Sequence, residues 1–101
     1  MAAVRVRVPT ALRELVAGER SVVVEVGEGL AGDDPVTVAS VLDALAADHP
    51  ALGRRLRDEQ GRTRVHVNLF VGADNVRDRD GLSTPVQPGE ELSIIPAISG
   101  G

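Results

Sequence analysis

The chain has 101 residues, 43% of them hydrophobic and 26% charged, which is enough for a single modest core. Phe70 is the only aromatic residue and there is no cysteine, so we expect an aliphatic core and no thiol or thiolate chemistry. The net charge of −4, the interleaved basic and acidic residues and the lack of stacking aromatics argue against nucleic acid as a partner.

The first ten residues, MAAVRVRVPT, lack the apolar centre of a signal peptide. No apolar run approaches the roughly 20 residues of a membrane span. We therefore expect a cytoplasmic protein without a membrane partner. All eleven basic residues are arginine, so no lysine amine is available for conjugating one copy to another.

Two alternating segments predict the first strands. VRVRVPT and RSVVVEVG each place valines on one face, at positions 4, 6, 8 and 22, 24, 26. They should form an antiparallel hairpin. Between them, ALRELVAGE has apolar residues at helical spacing and ends at Gly18, which predicts a turn or a single helical turn. Residues 27–35, rich in Gly, Asp and Pro, are predicted to form a loop.

Two helices are predicted in the middle of the chain. Thr37 is a plausible N-cap for a helix running to about His49. Its buried stripe should be Val38, Val41, Leu42 and Leu45. Pro50 is predicted to begin a second short helix that runs to Gln60 and stops at Gly61, with Leu52 and Leu56 buried.

The remaining segments predict three more strands. In RTRVHVNLFVG the inner face should hold Val65, Val67, Leu69 and Val71. A short edge segment is expected around Val76, and Pro88-Gly89 suits the centre of a type II turn. In ELSIIPA, Leu92 and Ile94 should face inward, with Ser93 and Ile95 on the other face.

This order of elements predicts an α+β fold in two layers, with one main helix and a second short helix on one face of a mixed sheet. The helix follows a hairpin, so the next long strand can return beside the first by a right-handed crossover. The other sheet face would remain open to partners.

Few side chains suggest catalysis. The two histidines, His49 and His66, lack metal-ligand spacing, and the serines lack a nucleophile motif. We therefore expect no catalytic residue, no metal and no bound cofactor. The ending EELSIIPAISGG is more informative, because a chain ends on Gly-Gly by chance only about once in 200. Pro96 should close the last strand, and the small residues after it could thread into a narrow channel.

The stretch from Val67 to Gly101 resembles the C-terminal half of the ubiquitin-like sulfur carrier proteins. These include the small subunit of molybdopterin synthase, the thiazole-pathway carrier and a carrier of cysteine biosynthesis. The shared elements are the Val67-Asn68 strand, the Asp80-Gly81-Leu82 turn, the Pro88-Gly89-Glu90 turn, the step at Pro96 and Gly100-Gly101. The resemblance implies a β-grasp domain over residues 1–97, of about five strands, and a flexible tail over residues 98–101.

The resemblance also implies roles for particular residues. Gly101 would be adenylated with ATP by an enzyme related to the ubiquitin activators and would become a thiocarboxylate. Gly100, Ser99 and Ile98 would form the threading tail. The chain would be a monomer when free, and not an enzyme but a co-substrate that delivers sulfide to an acceptor synthase.

The open sheet face would bind these enzymes through Phe70, Ile95 and Pro96, although scattered surface apolar residues are a competing explanation. The ending IIPAISGG is more similar to the cysteine-pathway carrier than to molybdopterin synthase subunits, which rank second. A β-grasp binding module with an inert tail is the alternative from another class.

Overall fold

The computed structural model describes residues 2–26, 36–87 and 89–96. Within these ranges the chain forms five strands, two α-helices and three 3₁₀ helices. The strands and α-helices are β1 (Ala2–Arg7), β2 (Ser21–Val26), α1 (Val38–Asp48), α2 (Pro50–Leu56), β3 (Val67–Val71), β4 (Asp74–Asn75) and β5 (Glu91–Pro96). The 3₁₀ helices are Thr10–Val16, Val76–Asp78 and Gly81–Ser83.

The predicted hairpin is confirmed. β1 and β2 are antiparallel, with Val4 opposite Val24 and Val6 opposite Val22. The alternating valines of β1 are buried, as period-two alternation predicts for a half-buried strand. The connecting segment is a 3₁₀ helix that ends at Val16. Ala17 and Gly18 follow with φ values of +57° and +81°, a left-handed conformation that glycine accommodates without strain.

The sheet has the order β2-β1-β5-β3-β4, in which β5 is parallel to β1 and antiparallel to β3. This is a mixed sheet of five strands with the β-grasp order, so the predicted fold is confirmed. The expectation that the next long strand returns beside the first is wrong, because β5 lies between β1 and β3. Leu92 and Ile94 of this central strand are almost completely buried, as the alternating pattern predicts.

The helical layer covers one face of the sheet. The four predicted apolar residues of α1 are each at most 1% exposed, and Leu52 and Leu56 of α2 are equally buried. The core is therefore aliphatic, and both predicted buried faces are confirmed. The opposite sheet face carries no helix from the described residues and presents the outward side chains of the strands.

Thr37 caps α1 as predicted. Its hydroxyl accepts a hydrogen bond from the Ser40 amide at 3.2 Å, and the Ser40 hydroxyl accepts one from the Thr37 amide at 2.9 Å. The two bonds form a capping box that satisfies amides otherwise left without partners at a helix start.

Replacement of Thr37 by alanine should lower the free energy of unfolding by about 1 kcal/mol, because the Ser40 amide loses its acceptor. Urea unfolding followed by circular dichroism measures the loss. Thr37→Ser keeps the hydroxyl and serves as the control. An equal loss in both variants would show that the methyl group, and not the cap, stabilises this end of the helix.

The predicted end of the second helix is wrong. α2 ends at Leu56, and Arg57 is extended and bridges to Thr63. The Asp58 carboxylate accepts hydrogen bonds from the amides of Gln60 and Arg62, which turns the chain back before Gly61. The backbone hydrogen bond from Arg62 is the main cause of a lowered pKa at Asp58.

The predicted start of the third strand is also wrong. β3 begins at Val67, and the side chain of Val65 is 75% exposed in a turn instead of facing inward. The Val67 amide donates to the Arg64 carbonyl at 3.0 Å and closes this turn. Val67 lies opposite Pro96, the last residue of β5.

Three other predictions concern turns and spans. β4 forms the sheet edge just before Val76, which is buried at the start of a 3₁₀ helix. In the predicted turn, Gly89 has a φ of +87° and the Glu90 amide donates to the Gln87 carbonyl. Pro88 and the predicted loop of residues 27–35 lie outside the described residues. None of the described helices has the length and apolar character needed to cross a membrane.

Candidate docking face

The last strand, β5, directly precedes the predicted tail in the sequence. Pro96 is exposed and is the last residue of the strand, opposite Val67 of β3. Proline has no amide hydrogen, so it cannot donate to a strand ladder. The predicted tail residues Ile98, Ser99, Gly100 and Gly101 lie outside the described residues, and their roles remain predictions.

Phe70 and Ile95 lie on the same open face of the sheet. Phe70 is opposite Ser93 and Ile95 is opposite Asn68, so the two apolar side chains are diagonal neighbours across β3 and β5. Ile95 is 44% exposed and Phe70 is half-buried. The structure therefore brings Phe70 and Ile95 together on the open face. Pro96 lies opposite the inward-facing Val67, so its side chain is on the other side of β5 from this pair.

The open face also contains residues that the sequence reasoning did not single out. Val23 of β2 is 58% exposed, and Arg5 lies opposite it on β1. Arg7 lies opposite Ser93, between β2 and the apolar pair on β3 and β5. These residues could have been found from the sequence, because they occupy the outward positions of the alternating segments VRVRV and SVVVEV.

A cleft of about 390 Å³ adjoins the end of β5. Ile95 and Pro96 form one side of it, and Arg7, Thr10 and Arg13 contribute polar groups from β1 and the following 3₁₀ helix. The Arg13 Nε donates to the Val8 carbonyl at 3.0 Å, which holds this guanidinium beside the cleft. The site therefore combines an apolar patch with fixed positive charge.

Among residues 2–26, 36–87 and 89–96, no three His, Cys, Asp or Glu side chains lie close enough to hold a metal ion. In the same ranges, every buried polar side-chain atom has a hydrogen-bond partner. His66 is exposed in the turn before β3, and His49 lies between the two helices.

Comparison with known proteins identifies the family. The sequence model of the ThiS family matches residues 6–101. The sulfur carrier protein CysO of Mycobacterium tuberculosis is 33% identical over 100 residues, which cover 97% of this chain and 98% of that protein. The chain therefore belongs to the ThiS family.

Two solved structures share the fold over almost their whole length. The crystal structure of the Amycolatopsis orientalis BexX/CysO complex matches with a TM-score of 0.78 and 33% identity, covering 97% of this chain and 99% of the other. The crystal structure of SAMP1 from Haloferax volcanii matches with a TM-score of 0.77 and 30% identity, covering 99% of this chain and all of the other.

These findings confirm the resemblance stated from the sequence. The relatives include small carriers, so the prediction of a carrier protein in place of an enzyme is confirmed for the family. One relative was solved in a complex, which supports the general expectation that such chains act with partner proteins.

Proposed function

We propose that this chain is a cytoplasmic sulfur carrier whose reactive group is the C-terminal carboxylate of Gly101. The observation that carries the proposal is the family match, which spans residues 6–101 and so includes Gly100 and Gly101. The relative from Mycobacterium tuberculosis is named as a sulfur carrier.

The proposed chemistry explains why an activating enzyme is needed. A terminal carboxylate is ionised at neutral pH and is a poor electrophile. An activating enzyme related to the ubiquitin activators joins it to AMP from ATP and releases pyrophosphate. Hydrosulfide from a sulfur donor then attacks the acyl carbon, a C–S bond forms, AMP leaves and the product is a thiocarboxylate. An acceptor synthase incorporates the sulfur of this thiocarboxylate into its product, and hydrolysis of the acyl C–S bond by water returns the Gly101 carboxylate.

Cysteine biosynthesis, or a related route to a sulfur metabolite, is the pathway that we propose. The near full-length similarity to CysO and the ending IIPAISGG support this choice over molybdopterin synthesis. The proposed partners are therefore the activating enzyme and a sulfide-accepting synthase, and ATP is consumed by the enzyme without being bound by the carrier.

Incubation of the full chain with an activating enzyme, ATP and sulfide should replace one oxygen by sulfur at the C-terminus. Intact-mass spectrometry detects the product, and fragmentation assigns it to Gly101. A variant lacking Gly101 is expected to give no thiocarboxylate, because the terminal group is displaced and Ser99-Gly100 replaces the di-glycine.

Three outcomes separate the alternatives. Cysteine formed with a cysteine-type synthase supports the proposed route, whereas sulfur delivered only to the large subunit of molybdopterin synthase would assign the second pathway. Failure of the wild-type chain to form an adenylate or thiocarboxylate with every activating enzyme encoded in its genome would favour a binding module with an inert tail.

A further inference from the structure

Arginines surround the end of β5, although the chain as a whole carries a net charge of −4. Arg7 and Arg13 line the same cleft as Ile95 and Pro96. Because β1 and β5 are parallel, both strands end at the same end of the sheet. Positive charge from β1 and the following 3₁₀ helix therefore lies beside the end of β5, which the tail follows in the sequence.

A third arginine reaches this end of the sheet from the other side of β5. Val67 lies opposite Pro96, and its carbonyl accepts a hydrogen bond from the Arg77 guanidinium at 3.1 Å. Arg7, Arg13 and Arg77 thus form an arginine collar around the end of β5.

The collar is held by hydrogen bonds to the main chain. The guanidiniums of Arg13 and Arg77 each donate to a backbone carbonyl, at 3.0 and 3.1 Å. Within the described ranges, no carboxylate lies within 4.0 Å of these two, while Arg7 has Glu91 at 3.8 Å. A guanidinium has five N–H donors, so each keeps donors for a binding partner.

Carboxylates gather at the other end of the same sheet. Glu25 lies near the end of β2, Glu90 and Glu91 lie at the start of β5, and Asp74 lies in β4. Arg7 and Arg79 pair with Glu91 and Asp74 at 3.8 and 3.7 Å, so the separation of charge along the sheet is partial. Among the described residues, Arg13 and Arg77 leave positive charge without a carboxylate partner near the end of β5, and this charge attracts negative groups on a binding partner.

We propose that the arginine collar docks a carboxylate-rich surface of the activating enzyme, at the rim of the channel that receives the tail. This inference rests on the proposed function and adds the chemistry of the partner surface. Long-range attraction to the collar brings the tail end of the carrier toward the enzyme. The apolar pair Phe70 and Ile95 then packs against the enzyme next to this contact.

Paired charge variants of the full-length protein test the proposal. The double variant Arg13→Gln/Arg77→Gln removes two positive charges from the collar, and Arg54→Gln/Arg55→Gln removes two from exposed positions on α2. We expect kcat/KM for pyrophosphate release to fall about tenfold or more at low salt in the collar variant only. The kcat at saturating carrier should stay unchanged.

Salt and lysine variants separate charge from folding. The difference should disappear above roughly 0.5 M salt, where the Debye length is about 4 Å, and Arg13→Lys/Arg77→Lys should recover most of the activity. An equal loss in the α2 variant, no loss in the collar variant or a loss insensitive to salt would overturn the collar while leaving the sulfur carrier intact. If the wild-type chain is never adenylated, the proposed function is wrong and the collar proposal fails with it.

Discussion

Replacement of Ile94 by alanine is expected to lower the free energy of unfolding by about 2–5 kcal/mol, whereas the same change at Ile95 should cost about 1 kcal/mol or less. The two residues are adjacent in β5 and chemically identical. Ile94 is 3% exposed and packs in the core, while Ile95 is 44% exposed on the open face. Alanine at position 94 leaves a cavity in the core, whereas alanine at position 95 removes a side chain that is already largely in solvent.

Urea unfolding should be followed by circular dichroism, because the chain has no tryptophan or tyrosine to report by fluorescence. Native domains are stable by only about 5–15 kcal/mol, so the Ile94→Ala loss is a large part of the total. If Ile95 contacts the activating enzyme, Ile95→Ala should lower the efficiency of adenylation with little effect on stability. Equal losses of stability in both variants would contradict the assignment of their faces.

Replacement of Gly53 by alanine is expected to destabilise the protein by about 1–3 kcal/mol, although alanine is the better helix former. Gly53 lies in α2 directly against α1. A Cβ added there would lie 2.6 Å from the Cβ of Ala46 and 3.0 Å from its Cα. Neither atom belongs to a flexible side chain, so the two helices would have to separate.

A double-mutant cycle provides the control. Ala46→Gly alone should cost about 1 kcal/mol through lower helix propensity, but it removes the atom with which the new methyl group would clash. The double variant Ala46→Gly/Gly53→Ala should therefore be more stable than the sum of the single changes predicts. Strict additivity of the three unfolding free energies would show that the close approach of the helices is not the cause.

Much of the fold could be predicted because its local patterns are strong. The alternating valines of β1, the apolar stripe of α1 and the cap at Thr37 each depend on neighbours within a few residues. The family could be predicted from the C-terminal motifs, and the comparison over residues 6–101 confirms it.

The errors fall where a distant partner decides the local structure. The alternation that ends at Val71 extends back to Val65, yet the strand starts at Val67. The Arg64 amide donates to the distant Leu56 carbonyl at 2.9 Å, and the chain then turns before Val67. The second helix ends early because Arg57 pairs with Thr63 and its guanidinium contacts the Asp43 carboxylate at 2.8 Å. Neither partner is visible in the local pattern.

The sequence by itself determined the inward faces of the strands, the cap of the first helix and the identity of the terminal glycines. Only the tertiary structure decided that β5 lies between β1 and β3, because both later strands have alternating patterns that could pair with β1. The same arrangement gathers Arg7, Arg13 and Arg77, which are far apart in the chain, around the strand that leads to the tail. The parallel pairing of β1 with β5 brings Arg7 and Arg13 to the end of β5, and the antiparallel pairing of β3 with β5 brings Arg77 there, because Val67, whose carbonyl Arg77 contacts, lies opposite Pro96.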